Sequence, residues 1–200
     1  MATRSFDFFF DIASGYSYLA HTQVEPLARR TGAIARWRPF VLGAAFKETG
    51  NDTPARIPAK AAWLRQDMAL WAKRYGMPLV YPSRFPLRSV TALRLLVAAR
   101  RLHGDGAVAA LAAPLFEAAW GQDRDIADPT VLADCARRAG FDPAPLAAAI
   151  DALETKAELR ANTEEAVQRG VFGAPAFFVG DTLYWGNDRL HFVEEALRAA

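Results

Sequence analysis

One serine in this chain has surroundings that suit chemistry. Ser14 follows an apolar run at 6–10 (Phe-Asp-Phe-Phe-Phe) by three residues and precedes a stretch with helical periodicity. A hydroxyl at such a strand-to-helix corner caps the helix and lies among its unpaired backbone N–H groups, at the positive end of the helix dipole. An anion is stabilised there, and the hydroxyl can donate a hydrogen bond to it. Ser17 repeats the hydroxyl three residues on, one turn into the helix. Near the other end, Phe172-Gly173-Ala174-Pro175 leads into a second apolar run at 176–179. On local grounds alone Pro175 reads as a strand-start proline.

Other sources of catalysis are weaker. No Gly-x-Ser-x-Gly elbow occurs, and His21, His103 and His191 have no sequence context that suggests a base. His21 falls two turns past Ser14 and reads as a surface or packing residue. The histidines do not cluster with cysteine or carboxylates at metal-ligand spacing, so no metal is expected. Cys135, the single cysteine, sits at helical spacing from Val131, Leu132 and Ala139 and reads as a small buried hydrophobe.

The elements that must position Ser14 follow from periodicity. In the strand at 6–10, Phe6, Phe8 and Phe10 point one way and Phe9 the other, the pattern of a central strand covered on both faces. A helix over 16–31 is capped by Ser14 and stopped by Gly32. A second strand is expected over 33–42, with Pro39 at an edge or exit. From 58 to 170 the chain is rich in Ala, Leu and Arg, with helices expected near 58–75, 86–103, 107–120, 129–139, 143–151 and 154–169. Pro58, Pro86, Pro129 and Pro143 stand where helix starts tolerate proline. Strands return at 176–179 and 182–185 around a Gly180-Asp181 turn, and a last helix covers 188–197. The order is β-α-β, a helical stretch, then β-β-α. The expectation is one domain over 1–200, with an α/β core over about 1–45 and 170–200 and a helical insertion over about 55–169.

Composition bounds the rest. Two hundred residues, 52% hydrophobic and 23% charged, with thirteen Phe and five Trp, suffice for one well-buried core. A single cysteine permits no intramolecular disulfide and fits a reducing compartment. No signal peptide or membrane-length apolar run is read, so the expected location is cytoplasmic, with no membrane partner. The formal charge is +2. Arg29-Arg30, Arg100-Arg101 and Arg137-Arg138 each precede a glycine that can end a helix, where cations complement the dipole. No nucleic-acid partner is expected.

The chain resembles the DsbA-like branch of the thioredoxin superfamily, and within it the 2-hydroxychromene-2-carboxylate isomerases and kappa-class glutathione transferases. Four stretches carry the resemblance, in order and around a helical segment of the right length. They are Phe8 to Ala20 (FFFDIASGYSYLA), Gly50-Asn51 to Lys60, Val171-Phe172-Gly173-Ala174-Pro175, and Trp185-Gly186-Asn187-Asp188-Arg189-Leu190. In thioredoxin-type folds a Cys-x-x-Cys pair occupies the corner; here the spacing survives as Ser14-x-x-Ser17, which leaves a disulfide oxidoreductase without its sulfur. The family usually carries proline after the serine, and this chain has Gly15.

The resemblance implies glutathione as the thiol, with Ser14 donating to its thiolate. Each pKa unit of such stabilisation is ~1.4 kcal/mol, about one charge-assisted hydrogen bond. It implies a cis bond at Ala174–Pro175, so that the Ala174 backbone pairs with the cysteinyl backbone of glutathione. Trp185, Gly186, Asn187 and Asp188 are implied to meet the γ-glutamyl end, and Asn51 and Lys60, nine residues apart, to help hold the tripeptide. Tyr16, Lys47, Arg56 and Arg88 are implied substrate contacts, the cations serving a substrate carboxylate. The implied reaction converts 2-hydroxychromene-2-carboxylate to trans-o-hydroxybenzylidenepyruvate, in a homodimer. The alternatives are a kappa-like glutathione transferase or peroxidase, and a thiol-binding module without catalysis.

Overall fold

The structure, a computed structural model, describes residues 4–199. Its centre is a four-stranded sheet in the order β2-β1-β3-β4. The strands are β1 (Ser5–Phe10), β2 (Ile34–Pro39), β3 (Ala176–Val179) and β4 (Thr182–Trp185). β1 pairs in parallel with β2 and antiparallel with β3, with Phe8 opposite both Trp37 and Phe177.

The alternation in β1 divides the core. Phe6, Phe8 and Phe10 join the large apolar cluster beneath the helical segment, and Phe9 joins Phe40, Ala45, Ala166, Val171, Ala176 and Phe178 on the opposite face. Phe8 stacks on Phe177 at 5.0 Å and meets Trp37 edge-on at 5.0 Å, while Phe9 meets Phe178 edge-on at 5.8 Å. All four β1 phenylalanines are buried. Each contributes roughly 1.5–3 kcal/mol by leaving water, which fixes the register: a slip by one residue would exchange the two faces.

Helix α1 (Gly15–Thr31) returns along the sheet and ends at Gly32, in the left-handed region at φ 66°. Between β2 and β3 lie α2 (Leu42–Thr49), α3 (Pro58–Tyr75), α4 (Val90–His103), α5 (Gly106–Phe116), α6 (Pro129–Arg138), α7 (Pro143–Ala149) and α8 (Leu153–Gln168). After β4 a 3-10 turn, Asn187–Arg189, opens α9 (Leu190–Ala199).

Three differences from the sequence reading have identifiable causes. The second strand stops at Pro39, short of Leu42, and α2 follows where no helix was expected. Its N-cap residue, Val41, makes no side-chain cap bond; the Leu42 N–H instead donates to Asp11 Oδ2 at 2.9 Å. A cap supplied from 31 residues away leaves no local signal.

The helix expected from 86 begins at Val90. Tyr81 and Phe85, ahead of the cis Phe85–Pro86 bond, pack on Trp120, and the first helical bond runs from the Leu93 N–H to the carbonyl of the buried Ser89, whose side chain meets Asp11. The helix expected over 107–120 is α-helical only to Phe116 and continues as a π-helical turn, Glu117–Gly121. Pro114, inside α5, cannot supply its N–H to the ladder.

Candidate active site

The site begins where β1 ends. Asp11 is buried, and its carboxylate accepts from the Ala13 N–H and the Leu42 N–H, both at 2.9 Å, and from the Ser89 hydroxyl. Burial pushes its pKa above the ordinary carboxylate value, and those three donors pull the other way. Asp11 thereby fastens the loop before Ser14 to the starts of α2 and α4. Trp120, on the π-helical turn, donates its indole N–H to the Ile12 carbonyl at 2.8 Å and fixes the same loop from the other side. Pi-turns recur at functional sites because they redirect side chains out of the ordinary helical register.

Ser14 is the N-cap of α1, with extended backbone (φ −93°, ψ 116°). Its Oγ accepts from the Ser17 N–H at 3.1 Å and donates to the Ala174 carbonyl at 3.0 Å. The residue is 7% exposed. The first turn of α1 has no acidic residue, so its dipole is not locally neutralised, and the Gly15 and Tyr16 N–H groups have no intrahelical partners. The Ala174–Pro175 bond is cis.

Hydrogen bonds tie the other stretches to this corner. The Gly186 N–H donates to the Pro175 carbonyl at 3.0 Å. The Asn51 amide donates to the Phe172 carbonyl at 2.8 Å. Trp185 covers Gly173, where a Cβ would stand 2.6 Å from the indole Nε1, and its ring meets Phe172 at 4.9 Å. Gly186 has φ 104°, and a Cβ there would meet Asp188 Oδ1 at 2.4 Å, so both its backbone and its space call for glycine.

Asn187 is 3% exposed and its side-chain Nδ2 has no protein partner, while its carbonyl accepts from the Tyr75 hydroxyl at 3.4 Å. A buried amide donor left unpaired costs about 1–3 kcal/mol. The carboxylate of Asp188 pairs with Arg189 at 2.5 Å on the surface.

Tyr16 reaches α3, where its hydroxyl donates to Asp67 Oδ2 at 2.7 Å. Burial, then Asp67, then Asp188 raise the phenol's pKa far above its ordinary value, so it stays protonated. The remaining sequence candidates stand apart. Lys47, Lys60 and Arg88 are exposed, on the last turn of α2, the first turn of α3 and just before α4 respectively. Among the described residues no hydrogen bond or ion pair joins them to the corner. Arg56 is exposed and pairs with Asp52 at 2.7 Å.

The histidine and cysteine are packing residues. His21 Nδ1 meets the Tyr18 carbonyl, its ring stacks on Phe116 at 4.8 Å, and burial lowers its pKa to about 4. Cys135 is buried with its sulfur 3.4 Å from the Pro114 carbonyl, and burial pushes the thiol up to about 11. Among the described residues no group of three His, Cys, Asp or Glu side chains could hold a metal ion, and no helix is long and apolar enough to cross a membrane.

Sequence reasoning missed Asp67, Met68, Tyr75, Ser89 and Trp120. Asp11 was visible as the start of an Asp-x-x-Ser spacing, but its partners Leu42 and Ser89 were not. The helical residues showed only ordinary amphipathic positions, with nothing to mark which of them face the corner.

The arrangement is a serine-capped helix N-terminus facing a cis-proline loop on a thioredoxin-like scaffold, with serine at 14 and 17. The model of the DsbA-like thioredoxin domain matches residues 6–198. The chain is 34% identical to a 2-hydroxychromene-2-carboxylate isomerase of Sphingobium xenophagum, over 98% of both chains, and 30% identical to one of Pseudomonas putida, over 96% of this chain and 93% of that one. It is 25% identical to human glutathione S-transferase kappa 1, over 97% of this chain and 91% of that one. A solved structure of 2-hydroxychromene-2-carboxylate isomerase superposes with a TM-score of 0.85 at 28% identity, covering 96% of this chain and 94% of that one. The chain therefore belongs to the 2-hydroxychromene-2-carboxylate isomerase family of DsbA-like thioredoxin-fold proteins.

Proposed function

We propose that the chain is a glutathione-dependent isomerase that converts 2-hydroxychromene-2-carboxylate to trans-o-hydroxybenzylidenepyruvate. The observation that carries the reading is the Ser14 hydroxyl, held at the open N-terminus of α1 and 3.0 Å from the carbonyl that precedes the cis-proline. Relatives named for this isomerase and for kappa-class glutathione transferase support it.

The residues present fit glutathione. The buried, unpaired Asn187 amide suits a carboxylate acceptor, Asp188 suits an ammonium, and the Ala174 backbone suits an extended peptide. When bound, glutathione supplies a thiolate that adds to the conjugated substrate and leaves again, permitting rotation about a former double bond. Ser14 holds that charge by turning its proton from Ala174 toward the sulfur. The Gly15 and Tyr16 N–H groups add fixed dipoles. Tyr16, its own proton committed to Asp67, offers an oxygen lone pair to a substrate hydroxyl. Lys47, Arg56 and Arg88 are the cations proposed for the substrate carboxylate, and Asn51 and Lys60 are proposed to hold the tripeptide.

The test is turnover of 2-hydroxychromene-2-carboxylate by the purified chain, followed by ultraviolet absorbance with and without glutathione. The expected result is isomerisation that requires glutathione and leaves its concentration unchanged. Net consumption of glutathione with a generic electrophile or hydroperoxide, and no isomerisation, would favour the transferase reading that the kappa-class relatives raise.

A further inference from the structure

Gly15 opens α1, and its φ lies outside the left-handed region, so its backbone does not call for glycine. Its space does. A Cβ there would stand 2.1 Å from Met68 Cε, 2.8 Å from Met68 Sδ and 3.0 Å from Trp120 Cη2. Met68 is 4% exposed and comes from α3, an 18-residue helix in which only Met68 and Ala72 are fully buried. The neighbouring residue of α3, Asp67, takes the Tyr16 hydroxyl at 2.7 Å. Two consecutive side chains of α3 therefore meet two consecutive residues of α1, immediately after Ser14. Trp120 also lines the notch and is itself held by its bond to the Ile12 carbonyl.

We propose that Met68 is a positioning residue for the Ser14 corner: seated in the notch left by Gly15, its thioether sets how close α3 comes to the N-terminus of α1. This rests on the glutathione reading, because α3 carries Lys60 and Asp67, and Met68 packs against the residue whose N–H is proposed to meet the anion. The unbranched thioether suits the irregular gap between a bare backbone and an indole ring. A Cβ at 15 requires the Met68 thioether to move, so the two positions are coupled. A change in how α3 seats on the first turn shifts Ser14 and the N–H groups at the positive end of the helix dipole, which gives Met68 an effect on thiol ionisation without contact with the sulfur.

The experiment is a double-mutant cycle on the full chain, using Gly15→Ala, Met68→Ala and the pair. Alanine adds the Cβ while keeping the residue 15 N–H and suits a helix by its backbone, so its effect there is steric. Calorimetry reads glutathione affinity, and ultraviolet thiolate absorbance against pH reads ionisation of the bound thiol. Gly15→Ala is expected to weaken glutathione about tenfold, equivalent to ~1.4 kcal/mol, and much less when Met68 is already alanine. Met68→Ala alone is expected to move the thiolate midpoint to higher pH, while Met68→Leu, similar in volume, stays near the unaltered chain. If Met68→Ala does not fold, Met68→Val closes the same cycle. Equal losses from Gly15→Ala in both backgrounds, or an unmoved thiolate midpoint, would overturn the inference while leaving the glutathione reading intact. Absence of glutathione binding by the unaltered chain would overturn the functional reading, and this inference with it.

Discussion

The Ser14 hydroxyl donates its one proton to the carbonyl of Ala174, 160 residues away, at 3.0 Å. The same oxygen accepts the Ser17 N–H at 3.1 Å. Both ends of the hydroxyl are thus engaged within the protein, and the cleft between α1 and the cis-proline loop is held at hydrogen-bond width. Any thiolate that takes the Ser14 proton must take it from Ala174, so the gain at the sulfur is the difference between a charged and a neutral acceptor. Charge-assisted bonds are about twice as strong as neutral ones, and the exchange is favourable.

Ser14→Ala is expected to remove most glutathione-dependent turnover and to raise the pH at which bound thiol ionises. It also removes an N-cap, at about 1 kcal/mol of stability. Ser17→Ala separates the two serines. The Ser17 hydroxyl is buried with no partner, so its removal should leave the thiolate titration in place and leave stability unchanged or slightly higher. Ultraviolet titration and urea unfolding read the two effects. An unmoved titration in Ser14→Ala would end the case for hydroxyl activation of the thiol.

Asp11→Ala should destabilise the fold by about 2–4 kcal/mol in urea unfolding, because it strands two backbone N–H groups and the Ser89 hydroxyl. The intact carboxyl also gives a signed pH dependence. Burial raises its folded pKa above the ordinary carboxyl value of 3.8, so above pH 3.8 the folded state binds the proton more tightly than the unfolded one. Its contribution to stability is full below about pH 3.8 and falls as pH rises through the folded pKa. Asp11→Asn should flatten that segment of the stability profile; an unchanged profile would remove Asp11 as its source.

Asp188→Ala is expected to weaken glutathione by ~1.5–3 kcal/mol if a charge-assisted bond to the ammonium is lost. Arg189 already neutralises part of that carboxylate at the surface, which favours the lower end of the range. Unchanged affinity in calorimetry would exclude Asp188 from the site.

Trp120→Phe keeps most of the ring and deletes the donor to the Ile12 carbonyl. Stability should fall by about 1–3 kcal/mol. Turnover should fall with little change in glutathione affinity if the loop before Ser14 is loosened rather than rebuilt. Wild-type turnover in this variant would show that the indole bond does not hold Ser14 in place.

Much of this protein was written locally. The alternation of Phe6, Phe8 and Phe10 against Phe9 named the central strand and its two faces, because side-chain direction in a strand depends only on residue parity. Ser14 and Gly32 bounded α1, because caps and left-handed stops act within a turn. The order of elements and the four stretches that define the family were likewise present in the chain.

Tertiary structure decided what depends on distant partners. Helix α2 exists with a cap from Asp11, α4 starts at the N-cap Ser89 whose side chain meets that same Asp11, and the hydroxyl of Ser14 is aimed by a carbonyl from the far end of the chain. The choice of Asp67 and Met68 among the residues of α3, and of the glycine that receives Met68, is likewise tertiary. Hydrogen bonds and close packing between segments depend on three-dimensional separation, which periodicity along a single segment does not encode.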